Sequence, residues 1–264
     1  WTFNKYMEKM KKLVTVTSET IIDDLRNVPD IVLVYPLKSF CVGYPLEFAA
    51  DKVDGLVLVN RILDDNDLDE LDCILKNNDF KGIVFDDLGI IDLVKDKDMQ
   101  KILLLDHLAT NTESINYYLE YVDSVVVSND LTKDEILNIV SNANKPLVVN
   151  VFGLKTLMYS RRLLLTNYQE YYKLNKENVM SANIEDKGFK IVENAYGTKF
   201  YARKYYNALE LLSLQNVLYF WYDPVLLDDA KIMDVVKYGT MPDNLSDSLF
   251  LHRATVYKVG DLDA

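Results

Sequence analysis

Glycine, cysteine and histidine are among the scarce residues of this chain, at nine, two and two among 264. So few glycines argue against a glycine-rich nucleotide loop. The two cysteines, Cys41 and Cys73, form no CxxC pair, so one disulfide is conceivable but a disulfide framework is not. Two unpaired thiols fit a reducing compartment, which points to the cytoplasm. Two histidines, two cysteines and no HExxH argue against a zinc site. There is no GxSxG and no Cys–His signature, so a serine or cysteine protease mechanism has no visible nucleophile. No apolar run approaches the length of a membrane span. The first residues, Trp1 to Lys12, are mixed and charged and lack the apolar core of a secretory signal. The text from Met10 reads as a natural start, which makes Trp1–Lys9 an extension. Positive charge is also short. Lysine and arginine total 29 against 41 acids, for a net charge of −12. Such a chain repels polyphosphate, so direct nucleic-acid binding is disfavoured.

What the sequence has is a series of short, continuous apolar runs. They are Leu13–Thr17, Ile31–Tyr35, Gly55–Asn60, Gly82–Asp86, Ile102–Asp106, Ser124–Ser128, Pro146–Val151 and Asn216–Tyr222. Continuous rather than alternating runs are what strands buried on both faces of a parallel sheet require. Most are separated by segments with helical spacing: Thr20–Asn27, Asp67–Asn77, Thr112–Tyr121 and Thr132–Asn142. The last two begin with Thr and carry an acid shortly after, a helix-start signal. Eight strands alternating with helices predict an α/β fold, a (β/α)8 TIM-type barrel spanning residues 1–264 as one domain.

The spacing breaks once, between Val151 and Asn216, where the connection is several times the usual length. Here Leu157–Tyr172 reads as a helix. Phe189–Glu193 and Lys199–Ala202 flank a turn with Gly197 and read as a hairpin. This helix-plus-hairpin insertion between strands 7 and 8, residues 152–206, is expected at the C-terminal face of the barrel, where sites are built. Residues 243–264 form a tail, in which Thr255–Val259 reads as an edge strand or cap.

Within the insertion, Val151–Tyr168 (VFGLKTLMYSRRLLLTNY) resembles the segment by which proteins of the U32 collagenase-like peptidase family are recognised. Tyr159, Ser160, Arg162, Leu164, Leu165, Asn167 and Tyr168 match position by position. Glu193–Thr198 (ENAYGT) resembles the family's acidic-Tyr-Gly-Thr hairpin, and Ser124–Ile136 resembles the stretch at its sixth strand. The likeness extends over roughly residues 10 to 260. Members that hold an iron–sulfur cluster supply Cys within and just after the signature. Here Thr156 and Leu163 stand at the two Cys positions, and Gln169–Lys190 holds no Cys. A cluster commonly takes four thiolates. The resemblance therefore implies a family member with no cluster and no cofactor of that kind, although a divalent metal stays open.

The C-terminal strand ends offer the candidate chemistry. Asp106–His107 places one of the two histidines beside a carboxylate, where a general base belongs. Neighbours on a strand point to opposite faces, so only one of the two can face the site. Asp86–Asp87 suits a base or a Mg²⁺ ligand, but also a helix cap. Asp86, Asp106 and His107 are the catalytic candidates. Arg61, Asn150, Arg162, Asn167 and Lys199 are the ligand-binding ones. Arg162 is the preferred anion anchor, because a guanidinium can clamp a carboxylate or phosphate bidentately. Ser160 reads as a packing residue on a helix.

Two functions stand side by side. By resemblance, the chain is a hydrolase acting on peptides, with Asp86 or Asp106 as base. The alternative is a non-catalytic barrel subunit that binds a small anionic ligand or pairs with a cluster-bearing member of the family. A sugar-phosphate barrel enzyme is disfavoured because no glycine-rich phosphate loop follows strand seven.

Overall fold

The computed structural model describes residues 11–105, 109–184, 187–241 and 244–252. The expected extension, residues 1–9, and the expected strand at Thr255–Val259 lie outside them.

Seven strands come first: β1 (Lys12–Thr15), β2 (Ile31–Pro36), β3 (Leu56–Val59), β4 (Gly82–Phe85), β5 (Gln100–Leu104), β6 (Ser124–Val127) and β7 (Leu147–Ser160). The insertion adds β8 (Val179–Ile184), β9 (Lys187–Asn194) and β10 (Gly197–Asn207), and β11 (Val217–Asp223) follows. Strands β1 to β7 and β11 pair in parallel, each with the next. The ring closes twice over, with Lys12 opposite Phe220 and Leu147 opposite Val217. All four residues of β3, of β4 and of β6 are buried. This two-sided burial is why the strands show as unbroken apolar runs.

The helices are α1 (Ile22–Arg26), α2 (Asp65–Asn77), α3 (Ile90–Val94), α4 (Thr112–Tyr118), α5 (Lys133–Asn142), α6 (Leu164–Tyr172) and α7 (Asp229–Tyr238). Helix α5 starts where its sequence says. Thr132 accepts from Glu135 N–H while the Glu135 carboxylate accepts from Thr132 N–H, a reciprocal capping box. Asp64 and Asp67 do the same for α2. Helix α4 is capped by Asn111 rather than by Thr112. Between β2 and β3 the chain forms no α-helix, only a loop ending in one tight turn, Ala50–Lys52.

The expected helix from Leu157 is the main correction. Strand β7 continues to Ser160, and α6 begins only at Leu164. The reason is a change of partner. β6 pairs with β7 only as far as Val149. From Phe152 onward β10 takes up that edge in antiparallel fashion, from Asn207 opposite Phe152 to Thr198 opposite Ser160. An extended partner supplies the backbone hydrogen bonds that a helix would otherwise provide. β9 then pairs with β10, and β8 with β9. The hairpin read from the sequence is thus present, widened by the unforeseen strand β8. A short strand, β12 (Ser246–Asp247), pairs with Tyr205–Tyr206 of β10. The hydrophobic cluster runs from the ring into the insertion and includes Val192, Tyr201, Tyr205 and Tyr206.

Candidate functional site

The insertion sheet rises beyond the C-terminal ends of the strands, and beneath it lies the barrel mouth. A cavity there of about 40 Å³ is lined by side chains on or just after six strands and from the loop after β2. Asn60 follows β3, Asn129 follows β6, Asn150 and Thr156 stand on β7, Trp221 and Asp223 on β11, and Lys199 on β10. Tyr44 enters from the loop after β2, and Leu104, Val126 and Val127 complete the wall. That volume holds about one water molecule, or the end group of a larger ligand.

Most of these polar groups are held in place. The Asn60 amide clamps the loop by accepting from Val42 N–H at 2.9 Å and donating to Val42 C=O at 3.2 Å. The Trp221 indole donates to Thr15 Oγ1 at 2.9 Å. The Tyr44 phenol donates to Asp223 Oδ2 at 3.0 Å. Burial, and next the Asp223 carboxylate, push that phenol well above its ordinary range, so Tyr44 stays a donor. Asn150 differs. Its side-chain oxygen is buried and has no hydrogen-bond partner among the described residues. A buried acceptor left unmatched is costly unless a ligand or water completes it. Asn150 and Lys199 are the two sequence candidates that the fold brings together.

The other described candidates sit elsewhere. Arg61 is buried, but its donors are taken. Nε donates to Ser39 C=O at 2.6 Å, and the two terminal nitrogens grip Asp67 at 2.7 and 2.5 Å. Its plane also lies 4.6 Å from the Tyr196 ring centre. Arg162 and Asn167 are exposed and do not line the mouth. Ser160 ends β7 instead of lying on a helix, and its hydroxyl accepts from Arg162 N–H. Asp86 stands at the end of β4, near enough to Tyr159 to raise its phenol after burial has done so. Asp87 accepts from Leu63 and Gly89 N–H, a turn-holding role. Asp106 and His107 lie outside the described residues.

The two signature segments meet each other. Glu193 is 5% exposed and caps the amino end of α6. It accepts from Leu165 N–H at 2.7 Å, from Thr166 N–H at 2.8 Å and from the Thr166 hydroxyl at 2.5 Å. Thr198 donates to the same carboxylate and accepts from Leu164 N–H. Asn194 reaches across to Cys41 C=O at 2.7 Å and Glu47 at 2.6 Å, and Tyr201 donates to Gly43 C=O at 2.9 Å. The hairpin therefore latches both α6 and the loop that closes the mouth. Sequence reading missed Tyr44, Thr156 and Trp221 as mouth residues. Thr156 carried a signal, because it stands at a Cys position of the signature.

The donor set does not fit an iron–sulfur cluster. Thr156 and Leu163 offer no thiolate, and the chain has only two thiols, too few for a cluster's usual four. Cys41 is buried against Leu58 C=O, and Cys73 is exposed on α2. Among the described residues no three His, Cys, Asp or Glu group to hold a metal ion. No helix among them is long and apolar enough to cross a membrane.

Comparison with curated proteins and with solved structures returned no match. The family model described as Peptidase family U32 matches residues 47–183, just over half of the chain. That span takes in β3 to β7, α6 and the start of the insertion sheet, where the signature was read. The chain belongs to peptidase family U32.

Proposed function

We propose that the barrel mouth recognises the carboxylate or carboxamide end of a small ligand or peptide, without an iron–sulfur cluster. The observation that carries this reading is the pairing of Lys199 with the unmatched buried oxygen of Asn150 in one small cavity. An ammonium suits a carboxylate, and an amide oxygen suits the N–H of a carboxamide or of the peptide unit next to a terminal carboxylate. The cavity volume favours an end group entering while the rest of the ligand remains outside. Two unpaired cysteines favour the cytoplasm as its place of work.

Binding without turnover is the leading reading, because neither thiol nor Ser160 lines the mouth. Peptide hydrolysis is the second. It draws on family membership and on Asp223, a carboxylate lining the cavity that could act as a base on a water.

Calorimetry with short acidic peptides and their amidated forms tests the reading, with hydrolysis followed in the same samples. Lys199→Met should weaken binding of the free acid about tenfold and affect the amide less. Equal affinity of wild type and variant for both forms would refute the assignment. Turnover that is lost in Asp223→Asn would promote the hydrolytic reading over the binding one.

A further inference from the structure

We infer that the groove on the insertion sheet is a second binding site, for a compact phosphate-bearing ligand. The groove has a volume of about 650 Å³, within the range of small-molecule sites. It is separate from the mouth and shares no lining residue with it.

Strand register builds its floor. Ser181 pairs with Lys190 and Asn183 with Gly188 across β8 and β9. Alternation puts Ser181 and Asn183 on one face of β8, and Gly188 and Lys190 on the matching face of β9. A Cβ at Gly188 would meet Arg203 Cδ at 2.4 Å and Asn183 Oδ1 at 2.9 Å. The guanidinium arm and the amide thus converge over the one position that carries no side chain. Lys204 and Asn244 add a cation and an amide to the rim.

The electrostatics are unusual for this protein. The chain carries −12 overall, yet among the described residues the lining includes Lys190, Arg203 and Lys204 and no carboxylate. Lys190 is half-buried, and burial lowers its pKa. Its described contacts are with neutral Tyr205, whose hydroxyl lies at 3.2 Å and ring centre at 4.4 Å. A partly desolvated ammonium gains more from an incoming anion than one in water does. A planar guanidinium, an ammonium, a hydroxyl and an amide on one concave face suit the tetrahedral oxygens of a phosphate. The negative remainder of the chain selects for compactness. A short phosphate compound stays inside the positive zone, whereas a long polyanion would run out of it into repulsion.

The test is equilibrium binding of inorganic pyrophosphate and inorganic phosphate to the full chain at low ionic strength. Saturable binding at one site is expected. Lys190→Met should weaken it about tenfold, as should the exposed pair Arg203→Gln with Lys204→Gln, which leaves the buried core untouched. Lys199→Met, at the mouth, should leave pyrophosphate binding unchanged. The inference falls if wild type shows no saturable binding, or if the Arg203/Lys204 variant binds as wild type does. It falls as well if a single-stranded oligonucleotide binds through these residues more tightly than pyrophosphate.

Discussion

Glu193 holds Thr166 by two contacts at once, accepting its backbone N–H at 2.8 Å and its hydroxyl at 2.5 Å. The two residues belong to separate signature segments, so this contact joins what the sequence keeps apart. The signature is thereby explained as architecture. Glu193 and Thr198 cap α6, and Asn194 latches the loop over the mouth.

Replacing Glu193 with Gln should destabilise the fold by about 1–3 kcal/mol at neutral pH, since buried donors lose a charged acceptor. Burial alone raises the Glu193 pKa, but the hydrogen bonds from Thr166, Thr198 and Leu165 outweigh it and hold the carboxyl below its ordinary value. With a depressed folded pKa, its contribution is complete above the unfolded carboxylate range and is lost as pH falls through the folded value. Urea unfolding of both proteins from pH 7 down to pH 3 checks this. The gap between them should narrow on acidification, and a constant gap would contradict the assigned role.

Arg61→Lys should lower stability by roughly 1–3 kcal/mol, because lysine cannot reproduce a two-pronged grip on Asp67 with stacking on Tyr196. Binding at the mouth should change little. A loss of ligand affinity without a shift in the urea midpoint would return Arg61 to the ligand-binding role that its sequence position suggests.

Gly43 adopts φ of +91°, and a Cβ there would meet the Tyr201 hydroxyl at 2.2 Å and Lys199 Cδ at 2.5 Å. Gly43→Ala should cost about 1–3 kcal/mol through backbone strain and displace Lys199. Thermal unfolding and mouth-ligand affinity should therefore fall together. A variant as stable as wild type would show that the loop does not need this conformation.

The two thiols should react very differently. Cys73 is exposed, while burial and the neighbouring Glu47 push the Cys41 thiol well above its ordinary range. A disulfide reagent at mildly alkaline pH should titrate only Cys73 in the native chain and Cys41 only after denaturation. Rapid labelling of both in the native state would mean that the loop carrying Cys41 opens readily.

The ring is legible from local sequence alone. β3, β4 and β6 are buried on both faces, so apolar residues fill every position and the runs stand out without knowledge of their neighbours. The start of α5 was legible for the same local reason, because Thr132 and Glu135 satisfy each other within one turn. The signature segments also named the family from residues in short windows.

Where β7 ends and what the signature does depend on partners distant in the chain. Leu157–Ser160 carry no local signal against helix. They are extended because Lys199 and Phe200 of β10 arrive as partners for Tyr159 and Met158. α6 begins at Leu164 because Glu193 and Thr198, distant in the chain, satisfy its first N–H groups. The mouth follows the same logic. Asn150 and Lys199 could each be picked out as polar residues near strand ends, but Tyr44, Thr156 and Trp221 join them only when the ring closes. Hydrogen bonds and charges between distant segments obey geometry rather than sequence spacing, so the site had to wait for the fold.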